Sequence, residues 1–114
     1  MNLLTKAITE KMLKNGIRST EDENFDPKPV VKLFTPDGSA TWLLTELDPE
    51  DNDIAFGLCD LGMGSPELGS VRISEITSAR GPLGLPIERD RHFTADKPLS
   101  AYAKQARTDR CIRA

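Results

Sequence analysis

Apolar positions follow two rhythms along this chain. Leu4, Ile8 and Met12 recur every fourth residue, with Leu13 and Ile17 beside the same stripe. That period predicts a short amphipathic helix. Thr5 is placed to cap its start, and Asn15-Gly16 to stop it in a left-handed conformation. Ser19 to Pro29 is polar and acidic, with Asp26-Pro27 and Pro29, and reads as an extended connector. The rhythm then changes to strand character: Val30, Val31, Leu33 and Phe34 fill a segment from Pro29 to Thr35. Pro36-Asp37-Gly38 is a turn, in which proline presets the first angle and glycine takes the positive one. Ala40 to Leu47 is the return strand, with Ala40, Trp42, Leu44 and Glu46 on one face and Thr41, Leu43, Thr45 and Leu47 on the other.

Asp48 to Asp53 reads as a polar loop. Ile54 to Leu61 is a third strand, with Ile54, Phe56 and Leu58 opposing Ala55, Gly57 and Cys59 across its two faces. Gly62 to Pro66 turns the chain into a fourth strand, Glu67 to Ile73, where Gly69 marks a bulge or a close approach. Ser74 to Ala79 suggests one or two capped helical turns. Ile87 to Phe93 is expected to hold a short edge strand. A last helix opens at Pro98-Leu99-Ser100, is capped by Ser100 and runs to about Arg110. Its inward face is Leu99, Tyr102, Ala103 and Ala106, and its basic face Lys104, Arg107 and Arg110. The expected fold is α+β: a single two-layer domain over residues 1–114, an antiparallel meander of four to five strands with an N-terminal and a C-terminal helix.

Composition narrows the function classes. A chain of 114 residues fits one domain with one modest core. The N-terminus has no basic region followed by an apolar one, and no apolar run approaches membrane-spanning length, so a cytoplasmic protein without a membrane role is expected. Cys59 and Cys111 are too few for a disulfide framework or metal cluster and are read as free thiols, Cys59 in the core.

The net charge of −3 is unevenly spread: residues 21–60 hold eleven acids against Lys28 and Lys32, whereas residues 88–113 hold seven bases against four acids. Such a split suits self-pairing or two surfaces for different partners.

Chemistry-bearing motifs are sparse. His92 is the one histidine, and Cys-x-x-Cys is absent, so no metal site or cofactor is expected. The acidic loop 48–53 lacks calcium-loop spacing. Gly-x-Ser-x-Gly is absent, and the glycine-rich turn at 62–65 lacks the lysine of a phosphate loop. Glu46, Glu67, Glu88 and Asp90 lie in or beside strands. Convergence of these carboxylates would suit a metal-dependent hydrolase or nuclease. The plainer account pairs such acids with Arg72, Arg80 and Arg89 and places an ion network of Arg80, Glu88, Arg89 and Asp90 around the glycine- and proline-rich loop at 80–90. Nucleic acid is a possible partner through Lys104, Arg107 and Arg110, but overall acidity and few aromatic residues disfavour it.

The densest stretch is Arg80-Gly81-Pro82-Leu83-Gly84-Leu85-Pro86-Ile87-Glu88-Arg89-Asp90, where glycines, prolines, aliphatics and charges set the backbone residue by residue. With Val31 to Pro36, Ala40 to Glu46, Ala55 to Leu58 and Glu67-Leu68-Gly69, it resembles the family of domains of unknown function numbered 2958, over about residues 3–99. That resemblance implies a small bacterial protein of the kind often carried on plasmids and integrated mobile elements. It implies no activity and no catalytic residues. The charge split makes a non-enzymatic protein-interaction or accessory module the first expectation, with the metal-dependent hydrolase or nuclease as the alternative. The module's surface would include Trp42, Glu67, Arg80, Glu88, Arg89 and Asp90, and its partner would be a protein.

Overall fold

Thr5 caps the first helix as expected, its hydroxyl accepting the Ile8 N–H at 3.2 Å. The computed structural model describes residues 2–114. Within them the order is α1 (Lys6–Glu21), β1 (Val31–Phe34), β2 (Thr41–Asp48), β3 (Asp51–Asp60), β4 (Glu67–Arg72), α2 (Ile73–Ser78), β5 (Glu88–Arg89) and α3 (Leu99–Asp109). The strands form one antiparallel sheet in the order β4-β3-β2-β1-β5. The fold is α+β, with a meander of four strands. The fifth strand reaches the far edge after α2 and the 79–87 segment cross one face.

Helix-on-sheet packing occurs on both faces. Val31, Leu33, Trp42, Leu44, Leu47 and Ala55 form one core with Leu3 and Met12, and Ile76 and Ile87 close it. Leu43 and Leu58, partners across β2 and β3, face the other way and meet Leu99, Tyr102, Ala103 and Ala106 of α3. The four inward positions expected of the last helix are thus all buried. Each fully buried leucine contributes about 1.5–3 kcal/mol relative to exposure.

Three local expectations are corrected. Asn15-Gly16 does not stop α1, which continues to Glu21. Instead Asn15 Nδ2 donates to the Thr45 carbonyl at 2.8 Å, and a Cβ on Gly16 would lie 1.9 Å from the Leu47 carbonyl oxygen. The pair is where the helix backbone meets β2. Strict alternation along β2 also fails: the register shifts between Leu44 and Glu46. This bulge carries Leu47 onto the face of Trp42 and Leu44, and the spare Thr45 carbonyl is the one Asn15 takes. Finally, residues 48–53 are mostly strand: Asp48 pairs with Asp51 around a tight Pro49-Glu50 turn, and Asp48 Oδ1 accepts the Glu50 N–H at 2.9 Å.

Two serines expected as caps do something different. Ser74 and Ser100 are each the second residue of a helix. Ser74 gives its N–H and hydroxyl to the Asp53 carboxylate, at 2.9 and 2.6 Å. Ser100 gives the same two groups to Asp26. Aspartates remote in sequence therefore satisfy first-turn donors and sit at the positive end of the helix dipole. The Ser74 hydrogen bonds hold the Asp53 carboxyl below the usual aspartate range, with help from Arg72.

Candidate functional site

Register places the β1–β2 turn, the β3–β4 turn and the start of β5 at one end of the sheet. The centre of that end is Asp37. Its Oδ2 accepts the N–H groups of Leu83 and Leu85, at 2.7 and 3.2 Å. Its Oδ1 is buried without a hydrogen-bond partner among the described residues. Gly81 is required there, because a Cβ would lie 1.7 Å from Oδ1. The segment closes on itself through Gly81 N–H to Leu85 O and Gly84 N–H to Gly81 O, both 2.9 Å, with Gly84 at φ 84°. An Arg80–Pro86 bridge completes a small hairpin. The sequence shows Asp37 only as a turn residue. Its hold on a segment more than forty residues away has no sequence signal beyond the glycine it demands.

Beside this hairpin, the Gly62–Ser65 turn lies against Ser39, with Gly62 and Gly64 at φ 81° and 82°. Asp60 fixes it by accepting the Gly62 N–H at 2.8 Å. These two rigid turns display apolar side chains: Leu83 is 82% exposed, Met63 80%, Leu61 60% and Leu85 45%. Leu61 also forms the wall of a cleft of about 450 Å³ whose lining includes Trp42, Val71, Ile76 and Ala79. Arg72 and Glu75 stand at its rim.

The residues expected to form a surface take different places. Trp42 is 7% exposed and lines the cleft. Arg80 sits where α2 ends and donates to the Thr77 and Ala79 carbonyls, at 3.2 and 2.7 Å. Glu67 opens β4 and Glu88 lies on β5, so they occupy opposite edges of the sheet. Arg89 donates to the Asn2 and Leu3 carbonyls, at 3.2 and 2.7 Å. Asp90 faces Lys32 at 3.6 Å. The expected ion network of Arg80, Glu88, Arg89 and Asp90 is therefore not formed, because backbone carbonyls take both guanidinium groups. Arg72 does pair with acids, at 3.2 Å from Asp51 and 3.5 Å from Asp53.

The four strand carboxylates do not converge: Glu46 lies on β2, Glu67 on β4, and Glu88 and Asp90 at β5 on the far edge. Glu46 lines a separate pocket of about 380 Å³ with Ser19 and Phe56. Burial pushes its carboxyl above the ordinary glutamate value, opposed by the nearby Ser19 and Thr45 hydroxyls. Among the described residues, no three His, Cys, Asp or Glu side chains are grouped to hold a metal ion. Burial pushes the Cys59 thiol up, away from thiolate chemistry. Lys104, Arg107 and Arg110 are exposed on and just after α3, and Arg110 ends the helix at φ 59°.

These features define a small α+β domain with one apolar, turn-built end and a neighbouring cleft. The chain belongs to the family described as "Protein of unknown function (DUF2958)", whose model matches residues 3–113. Comparison with curated proteins and with solved structures gives no match. No helix among the described residues is long and apolar enough to cross a membrane.

Proposed function

We propose that this protein is a non-enzymatic interaction module of the bacterial cytosol that serves a mobile element as an accessory factor. The supporting observation is the set of apolar side chains held out on rigid turns. Leu83 stands on a hairpin tied to Asp37, and Met63 on a turn tied to Asp60. Exposed apolar side chains mark protein-binding surfaces when they cluster, and both turns stand at one end of the sheet. The working surface extends from these turns into the Trp42 cleft, with Arg80 and Glu67 at its margins. The setting in a mobile element follows the family resemblance.

The reading is tested with the double variant Met63→Ser, Leu83→Ser used as bait beside the wild type in extract of a native host. Both sites are exposed, so thermal stability should stay within about 0.5 kcal/mol. The expected result is a specific protein recovered by the wild type and lost with the variant. Equal recovery by both baits, or none by either, removes the proposal.

A further inference from the structure

The outer edge of β4 carries a second, more specific message, which rests on the interaction reading above. We propose that β4 is a receiving strand: an extended partner segment, apolar and basic in alternation, adds to its free edge and places side chains in the Trp42 cleft.

β4 is the outermost strand and, among the described residues, pairs only with β3. Along this six-residue edge alternate residues turn their N–H and C=O groups outward, a template for strand addition. The middle of that edge is Gly69. Its pairing with Gly57 continues an unbroken register, so no bulge explains it. Its φ is not in the left-handed range, and a Cβ there would meet nothing within 4 Å. A glycine inside a strand costs stability. Neither the turn geometry nor the packing of this chain requires one at that position. A partner side chain lying flat across the sheet face at that position does.

Gly69 and Val71 are two apart and share a face, and Val71 lines the cleft with Trp42. Alternate side chains of an added strand therefore point toward that cleft across the bare Gly69 position. Charge selects the partner's polar positions. Glu67 stands at one end of β4, while Asp51, Asp53 and Glu75 surround Arg72 at the other. The acids outnumber the one arginine, so lysine or arginine in the incoming segment is favoured. A second copy of the chain would bring the same acidic excess to the seam, so like charge opposes self-pairing.

The test is selection of a random short-peptide phage library on the full-length protein, with Gly69→Val and Glu67→Lys as parallel baits. Valine fits the open space and favours a strand, so Gly69→Val should melt at the same or a higher temperature than wild type. The expected peptides alternate apolar and basic residues. They lose about tenfold or more in affinity on Gly69→Val, and less on Glu67→Lys. Raising salt weakens their binding to wild type.

Peptides that bind Gly69→Val as well as wild type, an acidic consensus, or no enrichment overturns the inference. So does a concentration-dependent dimer of the free protein that Gly69→Val abolishes. An empty selection alongside intact host capture that depends on Met63 and Leu83 removes strand addition alone. Loss of both removes the interaction reading as well.

Discussion

The two edges of the sheet are built in opposite ways. β5 is two residues long: Arg89 grips the Asn2 and Leu3 carbonyls, and the Asp90 N–H extends the pairing to β1 by donating to Lys32 O at 2.9 Å. The hairpin before it is held by Asp37. β4 is longer, carries a glycine at its middle and has no strand beyond it. Proteins usually blunt exposed edges with short strands, charge or cover. Here one edge receives all three, while the other keeps only Glu67 and Arg72 at its ends. An edge left open beside an apolar cleft is the surface that the proposed strand addition would use.

The sharpest way to break this comparison is at Gly57, the neighbour of Gly69 across β3 and β4. A Cβ on Gly57 would lie 2.0 Å from the Leu43 carbonyl oxygen and 2.8 Å from the Leu44 Cα, so backbone must move. Gly57→Ala should cost about 3 kcal/mol, measured by urea denaturation. Paired glycines with opposite responses would separate interior packing from edge function. The closed edge is tested next: Asp37→Ala unpairs the Leu83 and Leu85 N–H groups and should cost about 1–2 kcal/mol. Hydrogen exchange should accelerate at those two amides while β4 stays unchanged. A uniform acceleration would mean that Asp37 supports the whole sheet and not the β5 side alone.

The smallest effect lies at neither edge. The Glu46 carboxyl is raised by burial, so its charged form is less favourable in the folded chain than in the unfolded one. Stability therefore falls as pH rises from the ordinary value of 4.5 through the raised one. Glu46→Gln should stabilise at neutral pH by under about 0.5 kcal/mol, because water still screens this half-buried group. The gain should vanish below the ordinary value, where both chains are neutral. A gain that persists there would show that packing, not charge, is responsible.

The helices and strands were readable because their apolar periods are clean: Tyr102, Ala103 and Ala106 fell inward as the sequence suggests. The bulge at Thr45 was not readable, since a period-two reading sends Leu47 to the wrong face and only the docking of Asn15 explains the extra residue. Gly16 and Gly69 both sit inside regular elements, yet one is pressed against Leu47 and the other faces open space. Composition marks a glycine but cannot say whether its reason lies inside the fold or outside it. The Arg80–Asp90 charges suggested ion pairs because spacing carries no information about backbone carbonyls, which claimed Arg80 and Arg89. The apolar end depends on three turns meeting, and no local pattern records that meeting.

α3 is fastened at both ends. The Leu99 N–H reaches the Pro27 carbonyl at 2.9 Å, Ser100 reaches Asp26, and beyond the helix the Ile112 N–H reaches Asp60 Oδ2 at 3.0 Å. Helix termini normally fray first, because their outermost backbone groups lack partners. This helix is splinted across the sheet by groups from the connector before β1 and from the end of β3. Lifting either end breaks a hydrogen bond to the connector or to β3, which ties the last helix of the chain to residues far earlier in it.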